Sequence, residues 1–236
     1  MPEPLLHVSG LRGGYGGKPV LQGVDLDVQP GEIVAVIGRN GVGKTTLMRS
    51  LIGLLPAPSG SIRFRDAPIE RLSAFRRARL GLGYVPQGRD VFPRMTVEEN
   101  LSVGRASGRG AAPSDFELVY ASFPVLRERR HQAAGTLSGG QQQQLAIGRV
   151  LIGRPTLMLL DEPSEGIQPS IVQDIARIGI ELNRMQGLTI ILVEQNIDMI
   201  RAMAQRCYVM DKGRLIATLT PDMLDDRDLV RRYLAV

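Results

Sequence analysis

The sequence predicts an α/β fold with a mostly parallel sheet at its core and a helical subdomain inserted between two halves of the chain. Three observations predict it. Ile33–Ile37, Leu157–Leu160 and Ile190–Val193 are apolar without alternation, the pattern of central strands covered by helices on both faces. Beyond residue 156, strand-like and helix-like stretches alternate, as in successive βα units. Between these regions, residues 88 to about 150 read as helices, interrupted by a Gly/Ala/Ser/Pro-rich surface loop from Gly104 to Asp115.

Taken in order, Leu5–Val8 and then Val24, Leu26 and Val28, separated by Asp25 and Asp27, alternate as half-buried strands. Ile33–Ile37 runs straight into Gly38. Leu47, Leu51 and Leu54/Leu55 share one side of a helix over 43–54, which Pro56, Pro58 and Gly60 end. Ser61–Arg65 alternates again, and Gln141–Leu151 reads as a helix opened by a glycine turn. A strand at 157–160, helix at 170–186, strand at 189–193, helix at 197–204 and strand at 207–210 follow. The segment 219–236, with clustered Asp and Arg, reads as a last helix. No internal repeat occurs. We expect a single domain over 1–236, with a core from 1–87 and 152–236 and a helical subdomain from 88–151.

With 236 residues, 43% hydrophobic and 22% charged, the chain can bury a sizeable core and is not a disordered polymer. Its apolar runs fall far short of the roughly 20 residues that a spanning helix requires. The opening Met-Pro-Glu-Pro lacks the basic stretch and apolar core of a secretory signal. The single cysteine, Cys207, excludes an internal disulfide framework and fits a reducing compartment. A cytosolic globular protein is therefore expected. The net charge of +5 comes almost wholly from arginine, since only Lys18, Lys44 and Lys212 are lysines. The arginines form no dense block, and 4% aromatics with no Trp offer few platforms for stacking bases. Charge alone therefore selects no partner.

The three apolar runs end in Gly38-Arg39-Asn40, Asp161-Glu162 and Glu194-Gln195. In open parallel sheets, ligands bind beyond the carboxyl ends of the strands, so three polar ends suggest one site. Gly38-Arg39-Asn40-Gly41-Val42-Gly43-Lys44-Thr45 fits G-x-x-x-x-G-K-[ST] and Thr46 follows it. Its glycines let backbone N–H groups turn inward as an anion nest, and the following helix adds its positive end. Lys44 would reach the β- and γ-phosphates of a nucleotide, and the Thr45 hydroxyl would bind Mg²⁺. Asp161 ends a strand where a carboxylate can hold Mg²⁺, and the next residue, Glu162, can orient or deprotonate an attacking water. Leu137-Ser138-Gly139-Gly140-Gln141 would form a second anion-binding turn at the head of a helix.

At this point the chain resembles the ATP-binding cassette (ABC) family, whose signature is LSGGQ, over essentially its whole length. The resemblance implies a P-loop NTPase core with an N-terminal antiparallel β subdomain and an inserted helical subdomain. It implies ATP and Mg²⁺ as cofactors and Ser138, Gly139, Gly140 and Gln141 as cover for the γ-phosphate held by a second cassette. Tyr15 matches the aromatic that stacks on adenine. Gln87 matches the glutamine that senses Mg²⁺ and the attacking water, and Gly88–Asn100 resembles the part that meets a permease. Two positions depart from the family. Gln195 stands where a histidine usually contacts the γ-phosphate, the only histidines being His7 and His131, and Gln168 replaces an aspartate in the loop after Glu162.

Val-Glu-Gln-Asn at 193–196 and Pro-Gln-Gly-Arg-Asp-Val-Phe-Pro at 86–93 resemble the hydrophobic-amino-acid-uptake branch. Glu-Gly-Ile-Gln-Pro at 165–169 and the glutamines 141–144 look most like the urea-uptake subunit, with the branched-chain amino-acid ATPase second. The resemblance implies an importer ATPase on the cytoplasmic face of the inner membrane. Its implied partners are a second, different cassette, two separate membrane permeases and a periplasmic solute-binding protein, with no nucleic acid. A soluble cassette acting on nucleic acid or ribosomes is the alternative of another class, and here the second cassette or long coiled-coil insertion usual in that class is missing. A cassette that binds ATP without hydrolysing it is countered by Glu162.

Overall fold

The computed structural model describes residues 3–57, 59–107 and 113–234. In chain order the elements are β1 (Leu6–Tyr15), β2 (Lys18–Val28), β3 (Ile33–Ile37), α1 (Lys44–Ile52), β4 (Ser59–Phe64), β5 (Ala67–Pro68), α2 (Ala74–Leu80) and β6 (Leu82–Val85). Then come α3 (Val97–Val103), α4 (Pro113–Ser122), α5 (Pro124–Glu128), α6 (Gly139–Ile152), β7 (Leu157–Asp161), α7 (Pro169–Gln186) and β8 (Thr189–Val193). The chain closes with α8 (Ile197–Met203), β9 (Arg206–Asp211), β10 (Arg214–Leu219) and α9 (Arg227–Leu234).

Two sheets form. The first, in the order β2-β1-β4-β5, is antiparallel throughout. The second runs β10-β9-β3-β8-β7-β6 and is parallel except for the edge pair of β10 with β9. Every residue of β3, β7 and β8 is buried, which explains their unbroken apolar runs. Successive side chains on these strands point to opposite faces. Leu157 and Leu159 accordingly join one core with Leu47 and Leu51 of α1 and Leu6, Leu26 and Phe64 of the antiparallel sheet. Met158 and Leu160 face the other way, into a core with Leu145 and Leu151 of α6 and Ile175 and Ile178 of α7. The parallel sheet is thus covered on both faces. Cys207 is buried and free, and burial pushes its thiol up to about 11.

Several expectations shift. The first strand reaches Tyr15 and turns back at Lys18 as a hairpin, where alternation predicted only Leu5–Val8. Helix α1 stops at Ile52 because Gly53 caps it, ahead of the proline brake expected at Pro56. The expected loop at Gly104–Asp115 is a 3₁₀ turn over Gly104–Ser107 and the start of α4 at Pro113, while 108–112 lie outside the described residues, as does Pro58. The C-terminal segment does hold a helix, α9, preceded by a 3₁₀ turn at Pro221–Asp225.

Candidate functional site

In the parallel sheet β8 lies between β3 and β7, and β6 lies beyond β7. The polar residues that follow β3, β6, β7 and β8 therefore come together at one edge, although far apart in sequence. The loop from Gly38 to Gly43 leads from β3 into α1. Gly38 has φ 151°, and a Cβ there would stand 2.3 Å from the Met210 carbonyl oxygen on β9, so the loop lies too close to the sheet for any side chain. Gly43, at φ 117°, begins α1 with no side-chain cap, leaving the first-turn N–H groups facing the loop. The Val42 carbonyl is tied to the Gly213 N–H at 2.8 Å, and Thr46 is buried behind the loop.

Lys44 is buried. Its Nζ donates to the carbonyls of Gly38 at 2.7 Å and Arg39 at 3.0 Å, and stands 3.7 Å from Glu162 Oε1. Burial pushes its ammonium down, and the Glu162 and Asp161 carboxylates oppose that shift. An ammonium whose partners here are two neutral carbonyls and a carboxylate at 3.7 Å retains capacity for a phosphate oxygen. Asp161 is 1% exposed, accepting from the Thr45 hydroxyl at 3.1 Å on Oδ1 and from the Tyr84 hydroxyl at 3.1 Å on Oδ2. Burial pushes the Asp161 carboxyl up, and these two hydrogen bonds hold it down. Burial, and then Asp161, push the Tyr84 phenol well above its ordinary value.

Glu162 has φ 49°, a left-handed setting that a non-glycine residue adopts only when its surroundings enforce it. The enforcement is visible. Its N–H donates to the Val193 carbonyl at 2.8 Å, the next residue but one before Gln195. Its side chain is 11% exposed, and its carboxylate accepts from Gln87 Nε2 at 3.2 Å and from Gln195 Nε2 at 3.1 Å. Gln195 Nε2 also donates to Asn40 Oδ1 at 2.7 Å, so the residue that replaces the expected histidine links the phosphate loop to the acid. Val20, Asn40, Gly41, Gly43, Lys44, Thr45, Thr46, Gln87 and Glu162 line a cleft of about 370 Å³.

Tyr15 and the signature turn do not line that cleft. Tyr15 is 44% exposed at the β1–β2 hairpin, beside the Arg49 guanidinium. Ser138 and Gln141 form a reciprocal cap on α6: Gln141 N–H donates to Ser138 Oγ at 3.3 Å and Ser138 N–H to Gln141 Oε1 at 3.0 Å. Against Gly139 lies the Arg89 guanidinium, which also donates to the Glu165 carbonyl at 3.1 Å, and a Cβ on Gly140 would meet Ile171 at 3.1 Å. The signature is therefore packed on its own chain, with Ser138 exposed, Gly139 and Gln141 half-buried and Leu137 and Gly140 buried.

Sequence reasoning placed Glu194 at a polar strand end without a role, and missed Glu165 and Tyr84. Glu194 is buried, and its carboxylate accepts from the N–H groups of Ser164 (3.1 Å), Gln195 (2.8 Å) and Asn196 (3.0 Å), tying the loop after β7 to the loop after β8. Glu165 Oε2 accepts from Gln87 Nε2 at 3.0 Å, sharing that amide with Glu162. Tyr84 sits on β6, a four-residue strand too short to recognise.

The donor set fits a nucleotide with a hard divalent ion. Among the described residues no cluster of three or more His, Cys, Asp or Glu could hold a metal alone. One buried carboxylate and one hydroxyl beside a phosphate-sized glycine cradle suit Mg²⁺, which takes one or two protein oxygens and completes its shell from phosphates and water.

A glycine loop between a buried parallel strand and a helix, with an acidic pair ending the strand two places along, defines a phosphate-loop nucleoside triphosphatase. The family model described as "ABC transporter" matches residues 21–165, and the chain belongs to that family and is one of its ATPases. It is 46% identical over 206 residues to the high-affinity branched-chain amino acid transport ATP-binding protein BraG of Pseudomonas aeruginosa, covering 86% of this chain and 87% of that one. It is 35% identical over 241 residues to the lipopolysaccharide export system ATP-binding protein LptB of Escherichia coli K12, covering 97% and 96%. A crystal structure of a nucleotide-free ATP-binding cassette from an ABC transporter superposes with TM-score 0.83 at 27% identity, over 97% of this chain and 98% of that one.

The position of Gln195 yields a prediction. A neutral amide cannot titrate, so this position contributes no step to the ATPase profile between about pH 5 and 8. Gln195→His places an imidazole against Glu162, which favours its charged form, so a new inflection is expected at or above about pH 6.5. A steady-state pH–rate series on both proteins checks this, and superimposable profiles would show the position to be idle.

Proposed function

We propose that this chain is the ATP-hydrolysing subunit of an importer for branched-chain amino acids, working with membrane permeases made as separate polypeptides. The observation that carries the chemistry is Glu162, fixed between Gln87 and Gln195 and facing Lys44. In this reading the loop 38–46 and Lys44 hold the triphosphate, Thr45, Asp161 and Gln87 hold Mg²⁺, and Tyr15 stacks on adenine. The ion supplies neutralisation of charge on the β- and γ-oxygens. Glu162 accepts the proton of the attacking water, and Gln87 and Gln195 keep its carboxylate turned toward the cleft.

The exposed Ser138 at the head of α6, outside the cleft of its own chain, supports a second cassette that would lay its own Ser138–Gln141 equivalent over this cleft. Among the described residues no helix is long and apolar enough to cross a membrane, which supports peripheral attachment. An apolar groove of about 360 Å³ runs between α1, α2 and the end of α3. Leu54 and Phe75 line it, 59% and 58% exposed, and it suits a permease helix laid on the cytoplasmic face. A periplasmic binding protein would deliver the solute, and the paired cassette would be a different chain.

The amino-acid reading rests on the 46% identity to BraG, higher than the 35% to the export protein LptB. It replaces the urea reading. Of the residues that suggested urea, Gln141 caps α6, Gln143 and Gln144 are buried, Glu165 accepts from Gln87 and Gln168 precedes α7. Uptake of labelled leucine and labelled urea in cells lacking only this chain tests the proposal. Near-complete loss of leucine uptake, restored by the intact chain and not by Glu162→Gln, is expected. Loss of urea uptake alone would restore the urea reading, and survival of both would overturn the transport assignment.

A further inference from the structure

Tyr84 belongs to neither the phosphate loop nor the acidic pair, yet its hydroxyl is 3.1 Å from Asp161 Oδ2. Thr45 takes the other oxygen, Oδ1, at 3.1 Å. The two hydroxyls thus divide a buried carboxylate between them. The Arg49 guanidinium on α1 lies against the Tyr84 hydroxyl and near Asp161, so the phenol is itself held from the far side. Tyr84 also lines the apolar groove beside α1 and α2.

The rotation of an aspartate carboxylate about its last bond is broad, so an unanchored Asp161 would sample many settings. Pinning Oδ2 removes that freedom and keeps Oδ1 against the hydroxyl of Thr45, a residue that lines the cleft. We infer that Tyr84 is a positioning residue for Asp161, setting the carboxylate that takes the divalent ion of the bound nucleotide. This rests on the reading of Thr45 and Asp161 as the metal-holding pair. Partners one step removed from a metal typically govern affinity by about 10–100-fold.

The test is calorimetric binding of a non-hydrolysable ATP analogue, with and without Mg²⁺, to the intact chain and to Tyr84→Phe and Asp161→Asn. For Tyr84→Phe we expect unchanged metal-free affinity and a gain from Mg²⁺ that is about tenfold smaller. Asp161→Asn should lose most of that gain. A merely structural role for Tyr84 would lower both affinities together, and that outcome overturns the inference. A full Mg²⁺ gain in Tyr84→Phe, with loss in Asp161→Asn, overturns the inference and leaves the metal reading intact. Retention of the gain in Asp161→Asn overturns both. Should Tyr84→Phe not fold, Arg49→Met removes the guanidinium behind the phenol. Because Arg49 also holds Tyr15, only the ratio of affinities with and without Mg²⁺ is read there: a smaller ratio is expected, and an undiminished one counts against Tyr84.

Discussion

Glu162→Gln is expected to slow ATP turnover by about 10²–10⁴-fold, the usual worth of a positioned base, while nucleotide binding persists. Gln has nearly the shape of Glu and adopts the φ of 49° no less readily, so the backbone setting at this position survives the change. The hydrogen bond from the Glu162 N–H to Val193 survives as well. What disappears is a group able to take a proton, at the one place where Gln87, Gln195 and Lys44 converge. Phosphate release under saturating ATP, beside calorimetric binding of the nucleotide, separates the two effects. Turnover within twofold of the unchanged chain would remove Glu162 from the chemistry.

Arg77→Met is expected to cost the fold about 3 kcal/mol or more. Arg77 is 2% exposed, and its guanidinium donates to the carbonyls of Ser50 and Leu51 at 2.7 Å each, Leu72 at 3.0 Å and Glu70 at 2.9 Å. Two of these carbonyls close the C-terminal turn of α1, where a cation also meets the negative end of the helix. Burial pushes the guanidinium down and Glu70 works against that, but arginine keeps its charge throughout the accessible range. Met retains most of the apolar stem and supplies no donor, so the carbonyls of Leu51, Glu70 and Leu72 lose this partner, and that of Ser50 keeps only the Gly53 N–H at 3.2 Å. For a chain of this size the thermal midpoint should fall by about 6–12 °C.

Arg177 makes the contrasting case. Its pairs with Asp174 and Glu181 lie on the exposed face of α7, where water and salt screen them. Arg177→Met should therefore move the midpoint by little, since such pairs contribute under about 1 kcal/mol. Scanning calorimetry on both variants decides whether burial or pairing governs. Equal shifts would mean that Arg77 is not the brace of α1.

Both expectations show where sequence reading succeeds and where it stops. The three central strands were legible because burial on both faces erases alternation, leaving Ile33–Ile37, Leu157–Leu160 and Ile190–Val193 as unbroken apolar runs. Helix α2 was not legible. Its Phe75 and Leu80 are exposed, while the residue it buries is Arg77, the reverse of the pattern by which amphipathic helices are recognised. Strand β6 has only four residues, and β10 is an antiparallel edge strand whose alternate residues face outward.

The sequence by itself determined the phosphate loop, the acidic pair and the signature turn, because each is a contiguous motif whose chemistry depends on neighbours along the chain. Tertiary structure alone decided how Glu162 is held, since Gln87 lies 75 residues before it and Gln195 lies 33 after. It likewise decided that Tyr84, 77 residues from Asp161, shares that carboxylate with Thr45, 116 residues away. Such pairings arise from the strand order, in which β3, β8, β7 and β6 stand side by side. Periodicity records which faces are buried and carries no information about which strands become neighbours.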